Sequence, residues 1–405
     1  MNRRKFIIEA KRTAIGKFLG SFYGQDPVEV SAQLIRNGFK KDHLKDVELV
    51  IIGNVVSAGI GQGIARAIAL SAGIDEKVPA YSLNMVCGSG MQAIINACNE
   101  IECGKDLILA GGVEFMSNIP FSAGSSLRSG NKLGDFKMTD LMVHDGLTDY
   151  FSGTHMGITA ENIAKKYQIS RQAQDDYAYL SQQRSIKAID EGVFAEEIEA
   201  ITLKDRKGKE IVFKTDESPN RDSTKEKMAS LKPSFIRDGS GTITAANASS
   251  INDGASYLLI ASEDYCDKHG IKPMAEIIGH SVVGCDPQLM GLGPYYAIRQ
   301  LLDQKNMSFK QINYFEINEA FAAQVLGCFR LLEDKYGVDE QYLLDRCNRY
   351  GSGLGLGHPL GTSGARITTT LVYEMNRNNK IKYGISSLCI GGGMGAALLL
   401  KAIDE

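Results

Sequence analysis

The chain has 405 residues, enough for two or three domains or for one large domain with an insertion. Its 43% hydrophobic and 23% charged residues are ordinary for a soluble globular protein. A formal charge of −3, with Lys and Arg scattered rather than clustered, argues against a nucleic-acid binder and leaves no membrane-surface patch. The basic start, MNRRKFIIEAKRT, has only Phe6-Ile7-Ile8 as an apolar run, too short for a signal peptide or a membrane span. The C-terminal Ile-Asp-Glu carries no recognisable anchor or address. Eight cysteines, at positions 87, 98, 103, 266, 285, 328, 347 and 389, form no CxxC and no zinc-finger spacing. A reduced, cytoplasmic enzyme is expected.

Phe6–Ala10 reads as a first strand, with a turn in RTAIGKF at Gly16. Val28–Phe39 is an amphipathic helix, Glu48–Val56 a buried strand, Ile64–Ala72 a helix and Leu107–Gly112 another buried strand. Between the last two, YSLNMVCGSGMQAIINACNEIECG passes from strand to helix, and Met91, Ile94, Ile95, Cys98 and Ile101 share one helical face. Strands alternating with helices imply parallel α/β layers. From Glu114 the texture changes: 117–132 is rich in Ser and Gly, Thr159–Tyr167 and Arg171–Glu191 are helical, and 204–232 is charged and broken by proline. This stretch reads as an inserted loop domain over a substrate. The buried β pattern resumes at Thr242–Ser262, with Tyr257–Ala261 its clearest strand. Met274–Val283, Tyr314–Ile317, Gly384–Cys389 and Ala396–Lys401 follow as strands; Tyr295–Leu302, Glu319–Lys335 and Thr362–Met375 follow as helices. The same order of elements occurs before and after the insertion, so the core reads as duplicated.

Cys87 stands at a strand-to-helix joint, where unpaired N–H groups and the helix dipole favour a thiolate. A thiolate is a competent nucleophile, although a free cysteine is more often buried and inert. Three further loops place small residues around one reactive side chain: Ile317-Asn318-Glu319-Ala320-Phe321-Ala322, GSGLGLGHPLGTSGAR around His358, and SSLCIGGGMGA around Cys389. Alone, His358 could be a structural histidine and Cys389 a strand-end thiol. Two cysteines and a histidine, each in its own glycine-rich loop, point together to chemistry.

The ordered motifs NMVCGSG, NEAFA, GHPLGTSGAR and LCIGGGMGA resemble the thiolase family, the acetyl-CoA acetyltransferases and 3-ketoacyl-CoA thiolases. Further matches run through RTAIGKF, GDFKMTDLM, DGLTDYFSGTHMGITAEN and TITAANASSINDGA. The resemblance implies a five-layered α/β/α/β/α core of two similar halves with an inserted loop domain. Residues 1–118, completed by 250–270, would form the N-terminal half, 119–249 the loop domain over coenzyme A, and 271–405 the C-terminal half. It implies Claisen condensation of two acyl-CoA molecules, or the reverse thiolysis, with acetyl-CoA the expected substrate and longer 3-ketoacyl-CoAs the alternative. Cys87 matches the acyl-accepting nucleophile, His358 its activator, and Cys389 the base at the α-carbon of the second acyl-CoA. A thiol, with a reference pKa of about 8.5, suits a proton shuttle. By the same resemblance, His358 and a water on Asn318 serve one oxyanion, and the backbone N–H groups of Cys87 and Gly391 the other. Coenzyme A would meet Arg221 near its adenine and Ser249 along its pantetheine, with Leu147, His155, Ala245, Ala248, Ala320 and Phe321 along the channel. Met156 and Met290 would crowd the acyl end.

No metal or redox cofactor is expected, because acetyl-CoA, acyl-CoA and CoA are the partners. Neither nucleic acid nor membrane is expected as a partner, and a homodimer or homotetramer is. Tyr350, with Ser352, Gly353 and Gly355, departs from the family pattern before the histidine, and Tyr295-Tyr296 is bulkier than the pattern. A non-catalytic acyl-CoA or lipid-binding relative would not be expected to keep Cys87, Asn318, His358 and Cys389 together. A ketoacyl-synthase-like enzyme would not carry the second thiol, Cys389.

Overall fold

The computed structural model describes residues 3–205 and 207–403. Met1 and Asn2 of the basic start, Arg206 of the charged 204–232 segment, and Asp404-Glu405 of the C-terminal Ile-Asp-Glu lie outside the described residues.

The chain opens with β1 (Lys5–Arg12), β2 (Gly16–Lys17), α1 (Pro27–Gly38), α2 (Lys41–Asp46), β3 (Leu49–Gly53), α3 (Ile64–Ser71), β4 (Ala80–Leu83), α4 (Ser89–Glu102) and β5 (Leu107–Phe115). Helix α1 starts at Asp26, whose carboxylate accepts from the Val28 N–H, and Pro27 supplies the fixed φ of the first turn. Strand β3 is buried at every position. It pairs on both edges, in parallel with β4 and β5, and so reads as an unbroken apolar run.

Next come the hairpin β6 (Phe121–Ala123) and β7 (Met138–Asp140), a π-turn at Met142–Gly146, α5 (Met156–Lys166), α6 (Arg171–Asp190), the hairpin β8 (Ile201–Lys204) and β9 (Glu210–Phe213), and α7 (Lys225–Ala229). These four strands pair only among themselves and add nothing to the large sheet. Ser170 caps α6 by accepting from the Ala173 N–H, as its sequence predicts. The buried face of α6 includes Gln174, Asp175, Ser181 and Ser185, which explains its weak apolar periodicity. It is built to hold loops by hydrogen bonds.

The remainder is β10 (Asn252–Ser262), α8 (Glu263–His269), β11 (Ala275–Gly284), α9 (Gly293–Lys305), β12 (Tyr314–Ile317), α10 (Ala322–Tyr336), α11 (Glu340–Arg346), α12 (Gly353–Leu356), α13 (Leu360–Arg377), β13 (Tyr383–Ile390) and β14 (Met394–Lys401). The large sheet runs β12-β13-β14-β11-β1-β10-β5-β3-β4, with β2 beside β10. It is mixed where the alternation of elements implied parallel layers. Among the strand pairs of the described residues, only β3–β4, β3–β5 and β12–β13 are parallel. Strands β13 and β14 are joined by Gly391-Gly392-Gly393 alone, too short for the crossover that a parallel pair requires.

Five layers follow from strand alternation. Val50, Ile52 and Leu259 face outward onto α1 and α3, whereas Ile51, Leu258 and Ile260 face inward onto Met91 and Ile94 of α4 and Ile367 and Leu371 of α13. From the other wing, Leu398 and Leu400 of β14 enter the same central cluster, and Ala397 and Leu399 face out toward α9 and α10. Helices α4 and α13 are therefore the middle layer. The two wings of the sheet meet through β1 and β11 at only Phe6↔Glu276 and Ile7↔Ala275.

Candidate active site

Strand β4 ends at Leu83 and α4 starts at Ser89, so Cys87 sits on the tight turn between them, one residue before the Gly88 cap. Val86 is held at φ +47°, an unusual conformation for a β-branched residue. Its surroundings enforce it. Asn84 Oδ1 accepts from the Val86 N–H at 2.8 Å, and Ser89 Oγ accepts from the Met85 N–H at 2.8 Å and donates to the Val86 carbonyl at 2.7 Å. The turn leaves Cys87 half-buried on a cavity wall. Burial pushes its thiol up to about 11; hydrogen bonds from the N–H of Gly391 and from its own N–H act the other way, and nearby Glu114 raises it further. The helix-terminal position therefore does not make a resting thiolate, contrary to the expectation from sequence. Desolvation outweighs the dipole.

His358 stands on the loop between α12 and α13 and is 5% exposed. Its N–H donates to Asn252 Oδ1 at 2.9 Å. Nδ1 lies 2.6 Å from Ser363 Oγ and 3.3 Å from Asn318 Nδ2, and the buried Nε2 has no partner among the described residues. Burial, helped by the Arg366 charge, lowers the imidazole to about 3, so it is neutral at physiological pH. Cys389 is near the end of β13 and buried, and desolvation, with Cys87 close by, raises its thiol well above the ordinary value. It too rests as a thiol.

Two clamps hold these loops. Glu319 accepts from Tyr177 Oη (2.9 Å), Ser181 Oγ (2.6 Å), Asn348 Nδ2 (2.9 Å) and the N–H groups of Ser352 and Leu354 (3.1 and 3.2 Å). It ties the Asn318 loop to α6 and to the loop before His358. The small residues of that loop serve this packing: a Cβ on Gly355 would lie 2.1 Å from Ser185 Oγ, and one on Gly353 2.5 Å from the Glu319 carbonyl. On the other side, Glu114 accepts from the N–H groups of Val55 (2.8 Å), Val56 (3.1 Å) and Gly361 (3.1 Å). Burial raises this carboxyl to about 7. A Cβ on Gly112 would lie 2.0 Å from the Gly361 carbonyl, so bare backbone is what lets β5 approach the start of α13.

Cys87, His358, Cys389 and Gly391 all line one cavity of about 540 Å³. Leu147, His155 and Met156 form one wall, and Ala245, Ala248 and Ser249 another. Met290, Ala320 and Phe321 complete the expected set. The Ser249 N–H donates to the Ala320 carbonyl at 2.9 Å, which joins two of these walls. The Met156 sulphur would lie 3.7 Å from a Cβ on Gly391, which puts it beside the thiols.

Two expected residues are elsewhere. Asn318 is fully buried behind His358 and does not line the cavity. Arg221 does not line it either and is paired with Asp190 on the surface. Tyr350, Tyr295 and Tyr296 also lie outside the lining; the Tyr350 hydroxyl donates to Glu374 at 2.5 Å. Three participants were missed in the sequence. Lys17 lines the cavity, and its place in RTAIGKF was a usable signal. Phe235 stacks on the His155 ring at 4.7 Å over a Gly157 with no room for a Cβ, and nothing local in the sequence announces it. Glu114, within a buried strand, read only as the point where the pattern changed.

The family model "Thiolase, N-terminal domain" matches residues 5–264, and "Thiolase, C-terminal domain" matches residues 271–402. The chain is 44% identical over 397 residues to an acetyl-CoA acetyltransferase of Pseudomonas aeruginosa, covering 97% of this chain and 98% of that one. It is 42% identical over 403 residues to a probable acetyl-CoA acyltransferase of Staphylococcus aureus, covering 98% and 99%. Among solved structures, the acetyl-CoA acetyltransferase of Bacillus anthracis superposes with a TM-score of 0.93 at 39% identity over all of both chains. Human mitochondrial 3-ketoacyl-CoA thiolase in complex with CoA does so at 0.90 and 39%, over 99% of this chain and 98% of that one.

Proposed function

This chain belongs to the thiolase family of acyl-CoA C-acyltransferases, and on that premise we propose that it joins two acetyl-CoA molecules into acetoacetyl-CoA and CoA, and runs the reverse thiolysis, through an acyl-Cys87 intermediate. The observation that carries this is the convergence of Cys87, His358, Cys389 and Gly391 on one cavity. The protonation states set the order of events. Because Cys87 rests as a thiol, His358 Nε2 takes its proton as the sulphur attacks the acyl carbon. The thioester C–S bond breaks, and Cys389, also a thiol, protonates the departing CoA sulphur and becomes a thiolate. That thiolate then removes a proton from the α-carbon of the second acetyl-CoA. The carbanion attacks the acyl-Cys87 carbonyl, whose oxyanion is met by the N–H groups of Cys87 and Gly391, the donors that hold the resting sulphur. Collapse releases the Cys87 sulphur, and the imidazolium of His358 returns its proton. Each of the three groups ends as it began.

Along the channel, His155 and Ser249 would face the pantetheine, and Lys17, which lines the cavity, is an ammonium for the phosphate end, since Arg221 is engaged by Asp190. Met156 and Met290 close the acyl end and favour a four-carbon ketoacyl chain; a longer-chain role in fatty-acid degradation is the second reading. The free thiols suit a reducing, cytoplasmic setting. Exposed Phe121, Leu133, Tyr150 and Phe151 on the segment after β5 suit a homo-oligomer.

The test is brief incubation with acetyl-CoA followed by peptide mass mapping. One acetyl group on Cys87 is expected in the wild type and, more slowly because the departing CoA has lost its acid, in Cys389→Ala, the latter without condensation. A label on another cysteine removes the assignment. In the same preparation, kcat/KM should fall from acetoacetyl-CoA to longer 3-ketoacyl-CoAs, and a rise up to ten carbons would favour the second reading.

A further inference from the structure

Ser363 lies in the first turn of α13, fully buried, with its hydroxyl oxygen 2.6 Å from His358 Nδ1 and 2.8 Å from the Pro359 carbonyl. We propose that Ser363 is the positioning residue that makes His358 a base: its oxygen accepts the Nδ1–H, its own proton goes to Pro359, and Nε2 is left bare toward Cys87. This rests on His358 being the base for Cys87.

Which nitrogen carries the proton in a neutral imidazole is set by the partner of the other one. Two groups reach Nδ1, and they pull in opposite directions. Asn318 turns its oxygen toward Arg366 Nη2, 3.5 Å away, and so offers Nδ1 only a donor. That contact, at 3.3 Å, favours a bare Nδ1 and a protonated Nε2, which could not take a proton. Ser363 can accept, its proton has an acceptor in Pro359, and its contact is the shorter by 0.7 Å (3.3 against 2.6 Å). Nε2, buried without a partner among the described residues, is then the free lone pair of a ring that lines the cavity.

The arrangement matters most once the proton has moved. When the Cys87 S–H bond breaks and Nε2–H forms, the ring is a cation in a dry site, beside the cation of Arg366. Both ring nitrogens are then donors. The Ser363 oxygen is the acceptor on the Nδ1 side, with its dipole already aligned by Pro359, and it keeps this role until the proton returns to Cys87. Ser363 itself exchanges no proton.

Two readouts on the intact enzyme test this. Nitrogen-15 histidine spectra of the wild type should show His358 with Nδ1 protonated and Nε2 bare, shifting toward the opposite tautomer in Ser363→Ala. Stopped acylation by acetyl-CoA should slow about tenfold in Ser363→Ala, the size of one lost buried hydrogen bond, with KM moving by less than about twofold. Ser363→Thr, which keeps the hydroxyl, should recover most of the rate. A wild-type spectrum with bare Nδ1 overturns the proposal, and it decides alone if Ser363→Ala does not fold. So does Ser363→Ala acylating at the wild-type rate while His358→Asn does not. If His358→Asn itself acylates normally, the underlying assignment of the base fails instead.

Discussion

His358 is neutral in the folded chain because its ring is buried near a guanidinium, with its pKa lowered to about 3 from an ordinary 6.5. The unfolded chain binds a proton on this ring near pH 6.5 and the folded chain does not, so the associated stability is present above that value and lost as the pH falls toward 3. Between pH 7.5 and 5 the loss attributable to His358 is about 2 kcal/mol. Urea melts at the two values should show the wild type losing about that much more than His358→Gln; equal losses would mean the ring is solvated. The comparison needs the variant, because buried carboxyls, Asp253 among them, act the opposite way. Burial raises Glu114 to about 7 and Glu316 to about 8, so stability tied to their protonation is lost as the pH rises through those values. That Cys87, His358, Cys389 and Gly391 come together was legible from the motifs; that Asn318 and Arg221 stay off the cavity was not. Nor was the ionisation of Cys87, His358 and Cys389. The sequence placed Cys87 at a helix start and so predicted a thiolate, but burial, which sequence does not display, decides the sign.

At the scale of elements, helices α1, α4, α6 and α13 and the buried strands could be read from periodicity and caps, with ends displaced by a few residues. The mixed pairing could not, because strand direction depends on which distant strands become neighbours: β10 enters between β1 and β5 from the far side of the insertion. The glycines around the reactive residues serve close packing of backbone on backbone. At Gly112 and Gly90 they admit the backbone of Gly361; at Gly353 they admit that of Glu319. Gly112→Ala should therefore separate β5 from the start of α13. A destabilisation of about 2 kcal/mol and a loss of acylation rate are expected, since overpacking against backbone has no flexible side chain to yield. Gly284→Ala, with nothing within 4 Å of its Cβ, is the control and should melt like the wild type. Arg221 fell outside the cavity because a surface arginine finds a carboxylate partner, here Asp190, that its sequence neighbourhood does not reveal. Phe235 escaped notice because its role comes from stacking on a residue eighty positions earlier, His155.

For the molecule as a whole, the apolar side chains left in solvent are concentrated after β5: Leu133 is 94%, Tyr150 91% and Phe151 85% exposed. If the chain is a homo-oligomer built on this segment, Tyr150→Ser with Phe151→Ser should lower the mass measured by light scattering while Cys87 is still acetylated. An unchanged mass would move the interface elsewhere.

The two wings of the sheet, joined at a seam of two residue pairs and by the α4–α13 layer, have a consequence for how the protein is made. On the proposed mechanism the nucleophile, Cys87, belongs to the first quarter of the chain, whereas its base, His358, and the second thiol, Cys389, are among the last to be translated. A nascent chain on the ribosome therefore carries a thiol without its base, however completely its first wing has folded. Only when α13 docks on α4 and β13 has emerged does the cavity gain its chemistry. On that mechanism activity arrives with the end of synthesis, and an unfinished or C-terminally truncated chain lacks the groups that would let Cys87 be acylated.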